Sequence, residues 1–395
     1  MTRPSLSTAA RFRLFFALEY IGIGTFFPYA ALYLSSIGLP GGQIGLLLAV
    51  VPLVSFLVQP LWGLISDVYK LHRRALVLGC FGVAVAMTGF GLTTDVRLLL
   101  VFAILHAVMR GPIGILGTSL ALEYLEREST RTGFGSIRLW GSIGFAAASF
   151  GIGAWFVEGA VWWIIPVYAL TYATLGIVAM TLPNAEVHGE VRWQEGLQLL
   201  RKERALAIFL LGTLLIGFTV GVVNNYLAVY LDSIAAAGWI IGAALALSAL
   251  FEVPLMAKVP AFLNRWGLRL VLVGGAAVLP VRWLLYALID RPILVLPTQI
   301  LHSIAMMSLL VVGVYYVDQL LVARWRASGQ ALYTATLHGI GPSLGLFVAG
   351  FVYEQAGITL VWLVCALVGL CGTLILGLVV HSPVITQTPQ QEIAP

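Results

Sequence analysis

Five side chains able to carry a proton or form an ion pair stand inside long apolar stretches of this sequence: Glu19, Arg110, Glu252, Arg282 and His302. A carboxylate beside a guanidinium is held as the anion, and separating the two favours its protonation. Two such couples are available. Glu19 is read as the protonatable group with Arg110 as its regulator, against the alternative of a purely structural ion pair, and Glu252 is expected to pair with Arg282. His106 stands one helical turn before Arg110, on the same face of a helix. Candidate binding groups are Arg110, His106, Arg138, Asn224, Asn225, His302 and Tyr29. Asn224 and Asn225 are adjacent amides in an apolar run, and an unsatisfied amide is costly in hydrocarbon, so at least one is expected to face a polar interior. His302 serves either as a substrate contact or as a hydrogen-bonded packing residue. Three arginines with aromatic rings nearby suit an anion joined to a flat ring, because guanidinium groups grip carboxylate or phosphate with two parallel bonds.

These residues need elements that hold charge at depth in an apolar medium. The chain has 395 residues, 60% hydrophobic and 10% charged, with a mean hydropathy of +0.98. Soluble domains are only about 45–50% apolar and about 25% charged, so this is a polytopic membrane protein. Twelve apolar spans can be drawn, the first Phe12–Ser36 and the last Thr359–His381, each long enough to cross about 30 Å of hydrocarbon. A charge at that depth costs about 3 kcal/mol on insertion scales, which makes each one a functional candidate.

Of the basic residues in the loops, one alternate set carries nearly all, such as Lys70, Arg73 and Arg74 after the second span and Arg324 and Arg326 after the tenth; the other set carries only Arg97 and Arg291. By the positive-inside rule both termini are cytoplasmic. The same distribution accounts for the pI of about 9.2 without nucleic acid as a partner. The three cysteines Cys80, Cys365 and Cys371 lie in apolar runs and form neither a disulfide framework nor a zinc pattern. No nucleotide loop, metal cluster or nucleophile–base motif marks an enzyme, and no cofactor or metal is expected. The basic amino terminus is followed by a run too long for a signal-peptide core and is expected to stay attached.

The spans divide six and six. Residues 1–183 are expected to form an N-terminal six-helix bundle, 184–204 a cytoplasmic central loop with an amphipathic or solvated helix, 205–382 a C-terminal six-helix bundle and 383–395 a cytoplasmic tail. "SDVYKLHRR" after the second span is echoed by "NRWGLRL", Asn264 to Leu270, after the eighth, as in duplicated transporters.

The pattern Gly63-x-x-x-Asp67 with Lys70, Arg73 and Arg74, and, in order, "PYAALYL", "QPLWGLISD", "GSIRLWGS", "VRW", "ILH" and "YEQAGI", resembles the major facilitator superfamily, nearest to its lactose permease and phenylpropionate transporter group. The resemblance implies an all-α membrane fold of twelve helices in two bundles, around a cavity lined by the first, fourth, seventh and tenth spans. It implies a conformational latch at Gly63, Asp67, Arg73 and Arg74. Arg282 and His302 match the permease's coupling arginine and histidine, and Arg138 its fifth-span arginine. Ala305 and Gln299 stand where its acid and lysine would be, so its relay does not carry over intact.

The function expected is proton-coupled symport of a small organic solute, an aromatic acid, glycoside or nucleoside, with proton-coupled export of amphipathic compounds as the alternative. The partners are that solute, protons and the lipid bilayer; the chain is expected to act as a monomer in the inner membrane of a prokaryote.

Overall fold

The computed structural model describes residues 7–128, 133–184 and 202–380, with the side chains of Asp67, Glu128, Ala323 and Arg324 excepted. Every regular element among them is helical. A backbone in hydrocarbon must satisfy its own N–H and C=O groups, which a helix does within one segment. Among the described residues, eleven helices are long and apolar enough to cross a membrane: α1 Thr8–Ser36, α2 Gly41–Ser66, α3 His72–Gly91, α4 Val96–Arg127, α5 Phe134–Phe156, α6 Val161–Met180, α7 Arg204–Ser233, α8 Gly238–Ala257, α9 Val259–Leu288, α10 Pro292–Leu320 and α11 Trp325–Val379. The last has 55 residues and holds the eleventh and twelfth spans read from sequence. Gly357, at φ 77° and ψ 178°, breaks it into two limbs. That backbone conformation is open to glycine and to few other residues.

The apolar run Trp239–Phe262, the eighth in the sequence, passes the end of α8 at Ala257; α9, itself broken at Gly267 with φ 73° and ψ 162°, starts at Val259 with Pro260 in its first turn. Proline is tolerated there because its missing N–H falls among the unbonded donors of a helix start. Apolarity continues across the boundary, so composition alone does not mark it.

Helices α1 to α6 pack on one another, as do α7 to α11, and the two groups meet where α2 lies against α11 and α5 against α8. Leucines such as Leu57, Leu64, Leu170 and Leu367 project from the outer surface, as expected where lipid replaces water as solvent. Helical geometry is disturbed beside the centre. A 3-10 turn at Phe27–Tyr29 interrupts α1 at Pro28, and π-helical turns occupy Ser308–Gly313 in α10 and Ala335–Ile340 in α11. Such turns often sit at functional sites. Of the expected central loop, 184–204, residues 185–201 lie outside the described residues, as does the expected tail, 383–395.

Candidate functional site: a charged central cavity

A cavity of about 530 Å³ lies between the two groups of helices. Besides α1, α4, α7 and α10, helices α2, α3, α5, α8, α9 and α11 also contribute to its wall, which is broader than the four spans implied by the resemblance.

On one wall, from α8, α9 and α10, the polar groups form a chain. Arg282 is buried. Its Nε and Nη2 donate to the Tyr286 hydroxyl at 3.0 and 2.7 Å, and Nη2 also donates to Gln299 Oε1 at 2.7 Å. Its Nη1 lies 2.8 Å from His302 Nδ1. A guanidinium only donates, so Nδ1 is the acceptor and the neutral ring carries its hydrogen on Nε2. That Nε2 faces Glu252 Oε1 at 3.6 Å, and the Glu252 side chain is 25% exposed. The direct pairing of Glu252 with Arg282 expected from sequence is therefore not formed; His302 stands between them, because it projects from α10 into the space between α8 and α9. Gln299 Nε2 donates to Tyr286 and to the Val295 carbonyl, both at 3.0 Å, fixing the acceptor that holds Arg282. Behind Arg282, Trp283 and Trp362 stack at 5.8 Å.

The opposite wall, from α1, α4 and α5, is differently arranged: Tyr20, Phe27, Arg110 and Arg138 line the cavity, and Glu19 stands behind them, outside the lining. Glu19 is 5% exposed, and its Oε1 lies 3.3 Å from the point where a Cβ on Gly114 would stand. Arg110 and Arg138 are the guanidinium charges acting on it. No ion pair joins Glu19 to Arg110, the second correction to the expected pairings; Glu19 Oε2 and Arg110 Nε are both buried without a hydrogen-bond partner. Arg110 instead lies over the Phe27 ring at 4.7 Å. Arg138 lies over the Tyr20 ring at 3.8 Å and donates to the Tyr20 hydroxyl. Further along α4, Glu123 pairs with Arg127 one turn on, at 2.5 Å.

The other binding candidates divide. Asn224 and Asn225 both line the cavity from α7, and Asn225 Nδ2 also donates to the Gly221 carbonyl at 3.0 Å. His106 backs the cavity with Nε2 2.8 Å from the Tyr168 hydroxyl. Tyr29 is wholly buried away from it, its hydroxyl donating to the Ser149 carbonyl at 2.5 Å. It packs α1 on α5 and is not placed to touch a solute. Of the latch, Arg73 donates to the Leu182 carbonyl at 3.2 Å, a contact inside its own group of helices. Arg74 is exposed and Gly63 has open space beside it; the side chain of Asp67 is outside the described part.

Sequence reasoning missed Tyr20 and Tyr286 and mentioned Gln299 only as a departure. The signal was present in spacing: Tyr286 is four residues after Arg282 and Gln299 three before His302, each on its partner's helix face.

A multi-pass chain, all-helical among the described residues, with a cavity between two groups of helices and charged side chains in its mostly apolar wall, is the architecture of a membrane transporter for small solutes. The model of the MFS_1 like family matches residues 9–364, and the chain belongs to that family, within the major facilitator superfamily; it is a transporter and not an enzyme. It is similar to the maltose permease of Geobacillus stearothermophilus, 29% identical over 92% of this chain and 93% of that protein. It is also similar to the nucleoside permease NupG of Escherichia coli (strain K12), 25% identical over 82% of this chain and 84% of that one. A crystal structure of the nucleoside transporter NupG matches the fold with a TM-score of 0.84 at 20% identity, covering 95% of this chain and 99% of that one.

Proposed function

We propose that the protein is a proton-coupled symporter of a hydroxyl-rich glycoside or nucleoside, working by alternating access with Glu252 as the proton carrier. The observation that carries this reading is the chain Glu252–His302–Arg282, whose acidic end opens on the cavity and whose basic end is buried and fixed. A proton taken from water by a Glu252 oxygen removes the anion facing His302 Nε2–H. Arg282 is then a buried cation without a nearby compensating charge, an arrangement of higher energy in a low-dielectric interior. Rearrangement of the wall, with the solute bound, relieves it. Deprotonation on the other side restores the anion and resets the cycle. Glu19 was the carrier expected from sequence; its near-complete burial and lack of an ion pair favour a different role, fixing the field around Arg110 and Arg138.

The substrate class is supported by the wall chemistry. Glu252 and Asn224 offer acceptors for hydroxyl hydrogens, Arg110 and Arg138 offer donors, and Phe27 and Tyr20 offer flat faces. The names of the relatives, a maltose permease and a nucleoside permease, point the same way. In the membrane, α11 cannot be one crossing: 55 residues of helix extend about 80 Å at 1.5 Å per residue, against about 30 Å of hydrocarbon. Its limbs are two spans, giving twelve in two bundles of six with both termini cytoplasmic, in a prokaryotic inner membrane, as a monomer.

The test is proton movement in lightly buffered proteoliposomes on adding maltose, then adenosine, uridine and xanthosine singly. The reading requires one solute to drive proton entry and Glu252→Gln to abolish that entry while solute exchange persists. Solute uptake without proton entry, or an unaffected Glu252→Gln, would overturn it.

A further inference from the structure

Two hydrogen bonds at one end of the molecule join the halves, and they are copies of each other. Glu354 Oε2, in the first limb of α11, accepts from the backbone N–H of Gly42 at 2.7 Å. Glu158 Oε1, just past α5, accepts from the backbone N–H of Gly238, also at 2.7 Å. Gly42 is in the first turn of α2 and Gly238 opens α8. Each carboxylate thus sits on a helix start in the opposite half, where unbonded N–H groups and the positive end of the helix dipole favour an anion.

The spacing repeats along the chain. Glu158 and Glu354 are 196 residues apart (354 minus 158), and Gly42 and Gly238 are also 196 apart (238 minus 42). The packing around each bond repeats too. A Cβ on Gly45 would lie 2.7 Å from Gly350 Cα, and one on Gly153 would lie 2.5 Å from Gly242 Cα. Backbone meets backbone on both seams, so neither seam can hold these contacts if the helices separate. All four segments lie at the end away from Thr8 and Val379, reached after an odd number of crossings from the amino terminus.

We propose that Glu158 and Glu354 are paired bolts of the outer gate: each holds one seam of the outer face closed, and both caps must break before a solute enters the cavity from outside. This rests on the alternating-access reading above. A single cap would leave one seam free to open first; two equivalent caps make the halves part together. The anion contributes its charge as well as an acceptor atom, so glutamine in its place keeps part of the hold and alanine keeps none.

The test uses the full-length protein in lipid nanodiscs, with Cys80, Cys365 and Cys371 changed to serine and spin labels on Ser36→Cys and Ser233→Cys. These exposed positions end α1 and α7 at the same end of the molecule. Their distance distribution is read by pulsed electron resonance. Glu158→Ala and Glu354→Ala are each expected to raise the open, long-distance population about tenfold relative to the closed one, the effect of one charge-assisted hydrogen bond. The glutamine variants give a smaller rise and the double alanine variant the largest. Gly238→Ala, whose methyl group meets Gly153, opens the seam sterically and is the positive control. If the control lengthens the distance and the double alanine variant does not, the bolts are wrong while alternating access stands. If no variant, including the control, moves the labels, both readings fall. Solute binding at an unchanged level shows that each variant is folded.

Discussion

The two walls of the cavity carry similar residues in opposite states of completion. In the second half Arg282 spends its guanidinium on Tyr286, Gln299 and His302, with Glu252 beyond the ring. In the first half Glu19 and Arg110 each leave a buried polar atom unpartnered, and Arg138 holds one tyrosine. A buried donor or acceptor without a partner costs about 1–3 kcal/mol. Arg110 lines the cavity, so a ligand that reaches it gains by supplying its missing bond; every guanidinium nitrogen of Arg282 is already bonded, which suits that group to switching, although Nε1 of Trp283 and of Trp362 behind it have no partner. On the proposed reading the first half supplies the donors that recognise the solute, Asn224 and Glu252 of the second half supply acceptors, and the second half carries the proton.

This contrast can be broken by substitution. The largest effect is expected from Arg282→Ala, which strands Gln299, Tyr286 and His302 and removes the buried cation. At about 3–5 kcal/mol for breaking a buried charged network, uphill uptake in proteoliposomes falls by more than about a hundredfold. Glu252→Gln comes next and separates the two functions: net uptake driven by a pH gradient is lost, while solute counterflow, which moves no net proton, stays within about twofold. Loss of both activities together would mean that Glu252 binds solute instead of carrying the proton. Tyr20→Phe should act only on recognition. It keeps the ring under Arg138 but removes the hydroxyl that Arg138 donates to, and a bond of about 1 kcal/mol weakens solute affinity about fivefold in equilibrium binding, with the proton-to-solute ratio unchanged.

The apolar spans and the charges within them were readable because hydrocarbon imposes a length and a penalty that composition records directly. What each charge touches was not. Glu252 and Arg282 lie on neighbouring helices at similar depth, which suggested contact, yet helix rotation puts His302 between them, and apolar spans carry few polar markers from which to fix rotation. Glu19 and Arg110 failed as a pair for a related reason: Phe27, placed by the turn at Pro28, takes the face of the guanidinium. Tyr29 sits two residues beyond Phe27 and points into the seam with α5. The break in α11 was the reverse case. "YEQAGI" marked the loop between two spans, and Gly357 supplies the backbone conformation that breaks the helix there.

The smallest effect tests where the recognising wall ends. His106 lies one turn from Arg110 and lines the cavity, but it is 1% exposed and its Nε2 is committed to Tyr168. If it only braces α4 against α6, Tyr168→Phe removes its interhelical hydrogen bond, along with a hydroxyl that also lies near Arg110. Such bonds within membranes contribute about 0.6 kcal/mol on average. Thermal unfolding in detergent then falls by a degree or two while solute affinity stays within about twofold. A larger loss of affinity with unchanged stability would place His106 among the groups that read the solute, because the freed ring could turn toward the cavity only if the tyrosine had been holding it away.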